Sequence, residues 1–184
     1  MPIEPGQVST RRAYTGRIIN LDIDTVRFPD GSEGELEMVR HPGASAIVPF
    51  LSDPRGADPQ IMLIKQYRYA ALEFLYEIPA GRLDPGESPE TCARRELQEE
   101  TGCTAGTVEH MHTMFTTPGF TDEKIHLFLA FDLTRGESAR EADEFITVEV
   151  MPLTRALSMV QDGTIKDAKT ALGILYAAGF RVGA

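Results

Sequence analysis

"GRLDPGESPETCARRELQEETGC", residues 81–103, decides how the rest of the chain is read. It holds six acidic residues, three of them in the five-residue run Glu96-Leu97-Gln98-Glu99-Glu100. Ser88 followed by Pro89 predicts a helix start, because Pro is tolerated at the first helical position and the Ser hydroxyl accepts an orphaned backbone N–H. Gly102 is the matching stop, in the left-handed conformation that glycine adopts without penalty. Between these caps Glu96, Glu99 and Glu100 stand at i, i+3 and i+4, which puts three carboxylates on one helix face. Like charges at that spacing cost about 0.2–0.5 kcal/mol per pair, and the last turn is the unfavourable end of the helix dipole for an anion. Ala93 and Leu97 are expected to face the core, so the acidic face is not read as a plain solvated charge run. A bound divalent cation converts the repulsion into ligation, and a hard cation such as Mg²⁺ takes oxygen ligands.

Outward from this helix the pattern is mainly one of strands. "TGRIINLDIDTVRF" alternates apolar and polar residues, "PDGSEG" supplies a hairpin turn, and "ELEMVRH" continues the pattern. The stretch before it, "MPIEPGQVSTRRAYTG", reads as a ragged or pairing arm. After His41-Pro42-Gly43 come two buried-type strands, "ASAIVPFL" and "IMLIKQYRY", split by the loop "SDPRGADPQ". "LEFLYEIPAG" leads into the acidic helix; "TVEHMHTMF", "KIHLFLAFDL" and "FITVEVM" follow it as strands, with the polar stretch "GESAREAD" between the last two. Thr154 is expected to cap "RALSMVQD", and Asp167 to cap "AKTALGILYAA". Strands with about three interleaved helices predict an α/β (α+β) domain, a mixed sheet covered by helices. The change of character near Gly43 divides the chain into a small N-terminal antiparallel sheet, 1–42, and a larger α/β domain, 43–184.

Composition narrows the function. The formal net charge is −10, and nothing basic clusters, which argues against binding nucleic acid. No apolar run approaches the roughly 20 residues that cross a bilayer. Cys92 and Cys103 are the two cysteines; so few, with no metal-type spacing and no export signal, they suit a reducing cytoplasm. If the substrate is an anion, positive charge has to be supplied locally. Arg68 and Arg40 are the candidates, since Arg makes bidentate phosphate contacts; the plain alternative for each is a strand-end ion pair. Glu77 is a candidate for substrate contact, its alternative being a cap or salt bridge. Tyr67 and Tyr69 flank Arg68 and fall on the other strand face, one of them a candidate to flank a nucleobase. His41, His110, His112 and His126 lack mutual spacing and read as structural, and Cys92 as core filling.

Gly81, five residues, Glu87, seven residues, then Arg95-Glu96-Leu97-x-Glu99-Glu100-x-Gly102 resembles the Nudix box of the Nudix hydrolase family. Cys103 departs from the usual aliphatic last position but serves as a small buried hydrophobe. "HPGASAIVPF", "KQYRY", "EIPAG" and "TTPGFTDEKIHLFLA", with Pro118 sixteen residues past Gly102, resemble the branch that hydrolyses ADP-ribose and related nucleoside diphosphate sugars. The resemblance implies an α/β/α Nudix fold and a homodimer built through the N-terminal sheets, with Arg40 reaching towards the partner's site. It implies Mg²⁺, or Mn²⁺, held by Glu96, Glu99, Glu100 and the carbonyl of Ala80. Gly81 then adjoins the substrate, and Glu87, Arg95 and Gly102 hold the box together, Arg95 by pairing with Glu87. Hydrolysis yields a nucleoside monophosphate and a sugar phosphate. The branch also places a catalytic Glu outside the box, on a loop before a late strand; Glu144 is the match, with Glu141 the alternative register. GDP-mannose or another nucleotide sugar is the second substrate reading, and a non-catalytic nucleotide-binding Nudix module the reading of a different class. All the box carboxylates are present, which favours catalysis.

Overall fold

The computed structural model describes residues 4–136 and 146–182. Ten strands and three α-helices run in the order β1 (Gly6–Thr15), β2 (Asn20–Arg27), β3 (Glu33–Arg40), β4 (Ala44–Pro49), β5 (Gln60–Arg68), β6 (Glu73–Glu77), β7 (Ala80–Arg82), α1 (Pro89–Thr101), β8 (Cys103–Phe115), β9 (Lys124–Arg135), β10 (Ile146–Pro152), α2 (Leu153–Gln161) and α3 (Ala168–Tyr176), closing in a π-helical turn, Ala177–Val182. By contacts the chain forms two compact units. The first holds the residues up to Gly43 together with Phe115–Lys124; the second holds Ala44–Met114 and the chain from Ile125 onward.

In the first unit, β1, β2 and β3 form an antiparallel sheet in that order. The stretch expected as an arm is β1, paired with β2 along its length from Gly6↔Arg27 to Thr15↔Asn20. Its weak apolar signal has a simple cause: every residue of β1 is exposed. What the unit buries is charge. Asp22 and Asp24 are 7% and 4% exposed; Arg40 bridges them, and Arg12 pairs with Asp22. The Arg12 guanidinium beside Asp22 holds its carboxyl below the usual range. The turn Phe115–Lys124 joins the unit through Val39, whose N–H donates to the Phe120 carbonyl at 2.8 Å.

The second unit carries the apolar core. Its four-stranded sheet, β7-β4-β9-β8, is mixed: β4 runs parallel to β9 and antiparallel to β7. A second sheet, β10-β5-β6, is antiparallel. β4 is buried on both faces, as a strand with a parallel neighbour needs to be. Ala46, Val48 and Phe50 point to a core shared with Ala156, Met159 and Ile174 of α2 and α3, while Ile47 points to one shared with Ala93 and Leu97 of α1. The sheet therefore lies between helices, the α/β/α layering expected. Among the described residues no helix is long and apolar enough to cross a membrane.

Candidate active site

α1 ends where its caps dictate. Ser88 accepts from the Thr91 N–H at 3.1 Å, and Gly102, at φ 73°, donates to the Gln98 carbonyl at 2.8 Å. Ala93 and Leu97 are fully buried. This seats the acidic face of α1 against the segment Pro79-Ala80-Gly81 that enters β7. Glu100, 2% exposed, accepts the Ala80 N–H through Oε2 at 3.0 Å. Glu96 is 8% exposed, and its carboxylate lies so close to Gly81 that a Cβ there would fall 1.8 Å from Oε1. Glu99 is half-exposed.

Arg95 ties these carboxylates to the loop before the helix. Nε and Nη2 donate to the two oxygens of Glu87 at 2.9 and 3.0 Å, and Nη2 also reaches the Arg82 carbonyl at 3.1 Å. Nη1 donates to Glu96 at 2.6 Å and Glu99 at 3.0 Å. All five guanidinium N–H donors thus meet oxygen. The Arg95 donors pull the Glu87 carboxyl down from 4.5 to about 2. Burial, with Glu87 and Glu96 nearby, pushes the Cys92 thiol up to about 12; Cys92 is fully buried, a core residue rather than a nucleophile.

The donor chemistry suits a hard divalent cation, since the side chains on this face offer carboxylate oxygen. As the side chains stand, no three His, Cys, Asp or Glu among the described residues gather into one ligand cluster; the Arg95 guanidinium lies between Glu96 and Glu99 and donates to both.

Arg68 and Glu77 are brought together beside this face. Arg68 Nε and Nη2 donate to the two Glu77 oxygens at 2.6 and 2.8 Å. Lys169 of α3, which sequence reasoning missed, also donates to Glu77. Burial alone would raise the Glu77 carboxyl, but Arg68 and Lys169 outweigh it and hold it below the usual range. Nothing local in the sequence marks Lys169, 92 positions away. Arg40 is placed in the first unit, where its guanidinium is matched by Asp22 at 3.1 Å, Asp122 at 3.2 Å and Asp24. Tyr67 and Tyr69 are exposed, Tyr67 edge-on to Phe74. His110 and His126, remote in sequence, share the Thr113 hydroxyl at 2.9 Å each. Glu144 and Glu141 lie outside the described residues.

Two predictions arise here. Gly81→Ala forces the Glu96 carboxylate aside, and because that carboxylate ends a flexible side chain the fold survives. A ~1 Å misplacement in an active site can cost ~10²-fold. Turnover is expected to fall by about that factor with an unchanged circular dichroism spectrum; normal turnover would exclude Glu96 from the site. The second concerns acid. The folded pKa of Glu87 lies below its unfolded value, so its contribution to stability is present above 4.5 and is lost as pH falls towards 2. Denaturant titrations of wild type and Glu87→Gln are expected to differ by roughly 2 kcal/mol less at about pH 2.5 than at about pH 6, after allowance for solvent screening.

Residues 41–171 match the NUDIX domain family model, and the chain belongs to that family. It is a Nudix pyrophosphatase. It is 39% identical over 176 residues to an ADP-ribose pyrophosphatase of Bacillus subtilis, an alignment covering 95% of this chain and 92% of that one. To the methanol dehydrogenase activator of Bacillus methanolicus it is 36% identical over 175 residues, 94% and 92% of the two chains. Among solved structures, that of an ADP compounds hydrolase superposes with a TM-score of 0.80 at 20% identity, covering 97% of this chain and 94% of that one; this likeness speaks to the fold.

Proposed function

We propose that the protein hydrolyses ADP-ribose and related nucleoside diphosphate sugars, water adding across the pyrophosphate to give a nucleoside monophosphate and a sugar phosphate (AMP and ribose 5-phosphate from ADP-ribose), in a reaction dependent on Mg²⁺ or Mn²⁺. The observation that carries this reading is the seating of Glu96 and Glu100 on Ala80-Gly81, where glycine alone leaves room for a carboxylate. Glu96, Glu99, Glu100 and the Ala80 carbonyl are the oxygen donors we assign to the cation. A cation held there supplies charge neutralisation and polarisation of the pyrophosphate. Arg95 has a second edge on Glu87, so it stays anchored when its contacts to Glu96 and Glu99 give way to a cation. Arg68, its side chain 41% exposed, is our phosphate contact, with Glu77 orienting it. Glu144 is our general base. Two free, buried cysteines suit a reducing compartment, and we place the reaction in the cytoplasm.

The test is a substrate panel. Purified protein with Mg²⁺ is offered ADP-ribose, GDP-mannose, UDP-glucose and a diadenosine polyphosphate, and kcat/KM is compared. ADP-ribose is expected to lead, chelator to abolish turnover, and Mg²⁺ or Mn²⁺ to restore it. A lead for GDP-mannose would move the substrate and leave the chemistry; turnover indifferent to chelator would refute the metal assignment.

The N-terminal sheet supports a homodimer as the working form. Val8, Tyr14 and Leu36 of β1 and β3 are exposed at 47%, 59% and 38%, and a few strands need a further surface to cover them. We expect light scattering at micromolar concentration to give twice the 20.3 kDa chain mass; an active monomer would refute this.

A further inference from the structure

Glu77 ends β6 with a side chain only 2% exposed, yet two cations serve it. Arg68 takes both carboxylate oxygens, at 2.6 and 2.8 Å, and Lys169 joins at Oε2. With Asp167 beside Lys169, two cations serve two carboxylates, and either cation leaving Glu77 leaves the other in place. The two differ in access to water: the Arg68 side chain is 41% exposed, that of Lys169 12%. Lys169 is also fixed from behind. Its ammonium lies 3.0 Å from Asp167 Oδ2, and that oxygen caps α3 by accepting the Thr170 N–H at 2.9 Å. The Thr170 hydroxyl in turn accepts the Ile78 N–H at 2.9 Å. The first turn of α3 thus holds Glu77 and Ile78 just before the Pro79-Ala80-Gly81 segment that seats the acidic helix.

We infer that Lys169 is a positioning residue for substrate binding: it keeps Glu77 paired when Arg68 turns from it to an anionic oxygen of the pyrophosphate. This rests on the reading of Arg68 as the phosphate contact. A buried carboxylate stripped of its only partner is strongly destabilising, so without Lys169 the guanidinium cannot leave Glu77 without stranding it. With Lys169 in place the exchange is between one charge-assisted partner and another. Arg68 presents a planar fork with its side chain 41% exposed, while the less accessible cation stays behind.

The experiment measures KM and kcat for ADP-ribose at saturating Mg²⁺, with melting temperature, for wild type, Arg68→Met, Lys169→Met, Lys169→Arg and the Arg68→Met/Lys169→Met pair. Lys169→Met is expected to raise KM about tenfold, with kcat within about threefold of wild type, an effect of the size seen when a charged hydrogen-bond partner is lost. Lys169→Arg restores KM. Arg68→Met raises KM by itself, and adding Lys169→Met on that background raises it no further. If Arg68→Met raises KM while Lys169→Met only lowers the melting temperature, the inference fails and the phosphate-contact reading stands. Equal KM increments from Lys169→Met with and without Arg68 also overturn it, since they mark a general charge effect. If Arg68→Met leaves KM unchanged, the phosphate-contact reading fails and takes the inference with it. Should Lys169→Met not fold, Lys169→Gln keeps an N–H donor without the charge and is judged by the same outcomes.

Discussion

Glu100→Gln is expected to lower kcat by roughly 10³-fold or more and leave the fold intact. Mutating the outer-shell partners of a metal typically costs 10–100-fold, and loss of a direct ligand should exceed that. The fold survives because a Gln carbonyl oxygen can still accept the Ala80 N–H that Glu100 now accepts at 3.0 Å. What changes is the other terminal atom, an NH₂ donor where a cation requires a lone pair. The substitution also removes a charge that is 2% exposed and stands at i+4 from Glu96, a like-charge spacing that destabilises helices. In chelator the variant should therefore melt no lower than wild type, and its activity should respond less steeply to added Mg²⁺. Turnover near that of wild type at ordinary Mg²⁺ concentration would remove Glu100 from the ligand set.

Glu144→Gln is expected to lower kcat by about 10²–10⁴-fold, the usual contribution of a positioned general base, with KM and metal affinity nearly unchanged. It should also flatten the acidic limb of the pH–kcat profile. With the box carboxylates engaged by the cation as proposed, none is left to take a proton from water. Glu144 precedes β10, whose first residue, Ile146, pairs with Gln66, two positions from Arg68. If Glu141→Gln gives this profile and Glu144→Gln does not, the register slips by three residues and the mechanism stands. If neither does, the base lies within the box and Glu99 becomes the candidate.

The parts of the fold readable from sequence are those whose causes are local. Ser88, Pro89 and Gly102 fix α1 because capping and backbone preference act within a turn, and Asp167 caps α3 for the same reason. Thr154 shows the limit. α2 starts two residues earlier than that cap implies, at Leu153 with Pro152 in the cap position, and the Thr154 hydroxyl instead donates to Asp58 at 2.8 Å, 96 positions away. No local signal reports such a competitor. β1 could be read only as a ragged or pairing arm because an exposed strand carries no apolar alternation, and the turn Phe115–Lys124 joins the first unit through contacts some 80 positions distant, such as Arg40 with Asp122. The candidate site divides in the same way. Its acidic face lies on one helix and is visible as a spacing. The Glu77–Lys169 pair exists only once β6 and α3 have met.

The two units differ in what they take out of water, and they should answer to different solvents. Among the described residues, every buried apolar side chain belongs to the second unit; the first encloses carboxylates and guanidinium groups. Separating the strands of the first unit would uncover only half-buried hydrocarbon, such as Leu21, Ile23 and Val39, so it should contribute less per residue than the second unit to the heat capacity of unfolding and to the urea slope. Raised ionic strength, which screens charge, should loosen it. The second unit should show a steep urea response and most of the heat-capacity step.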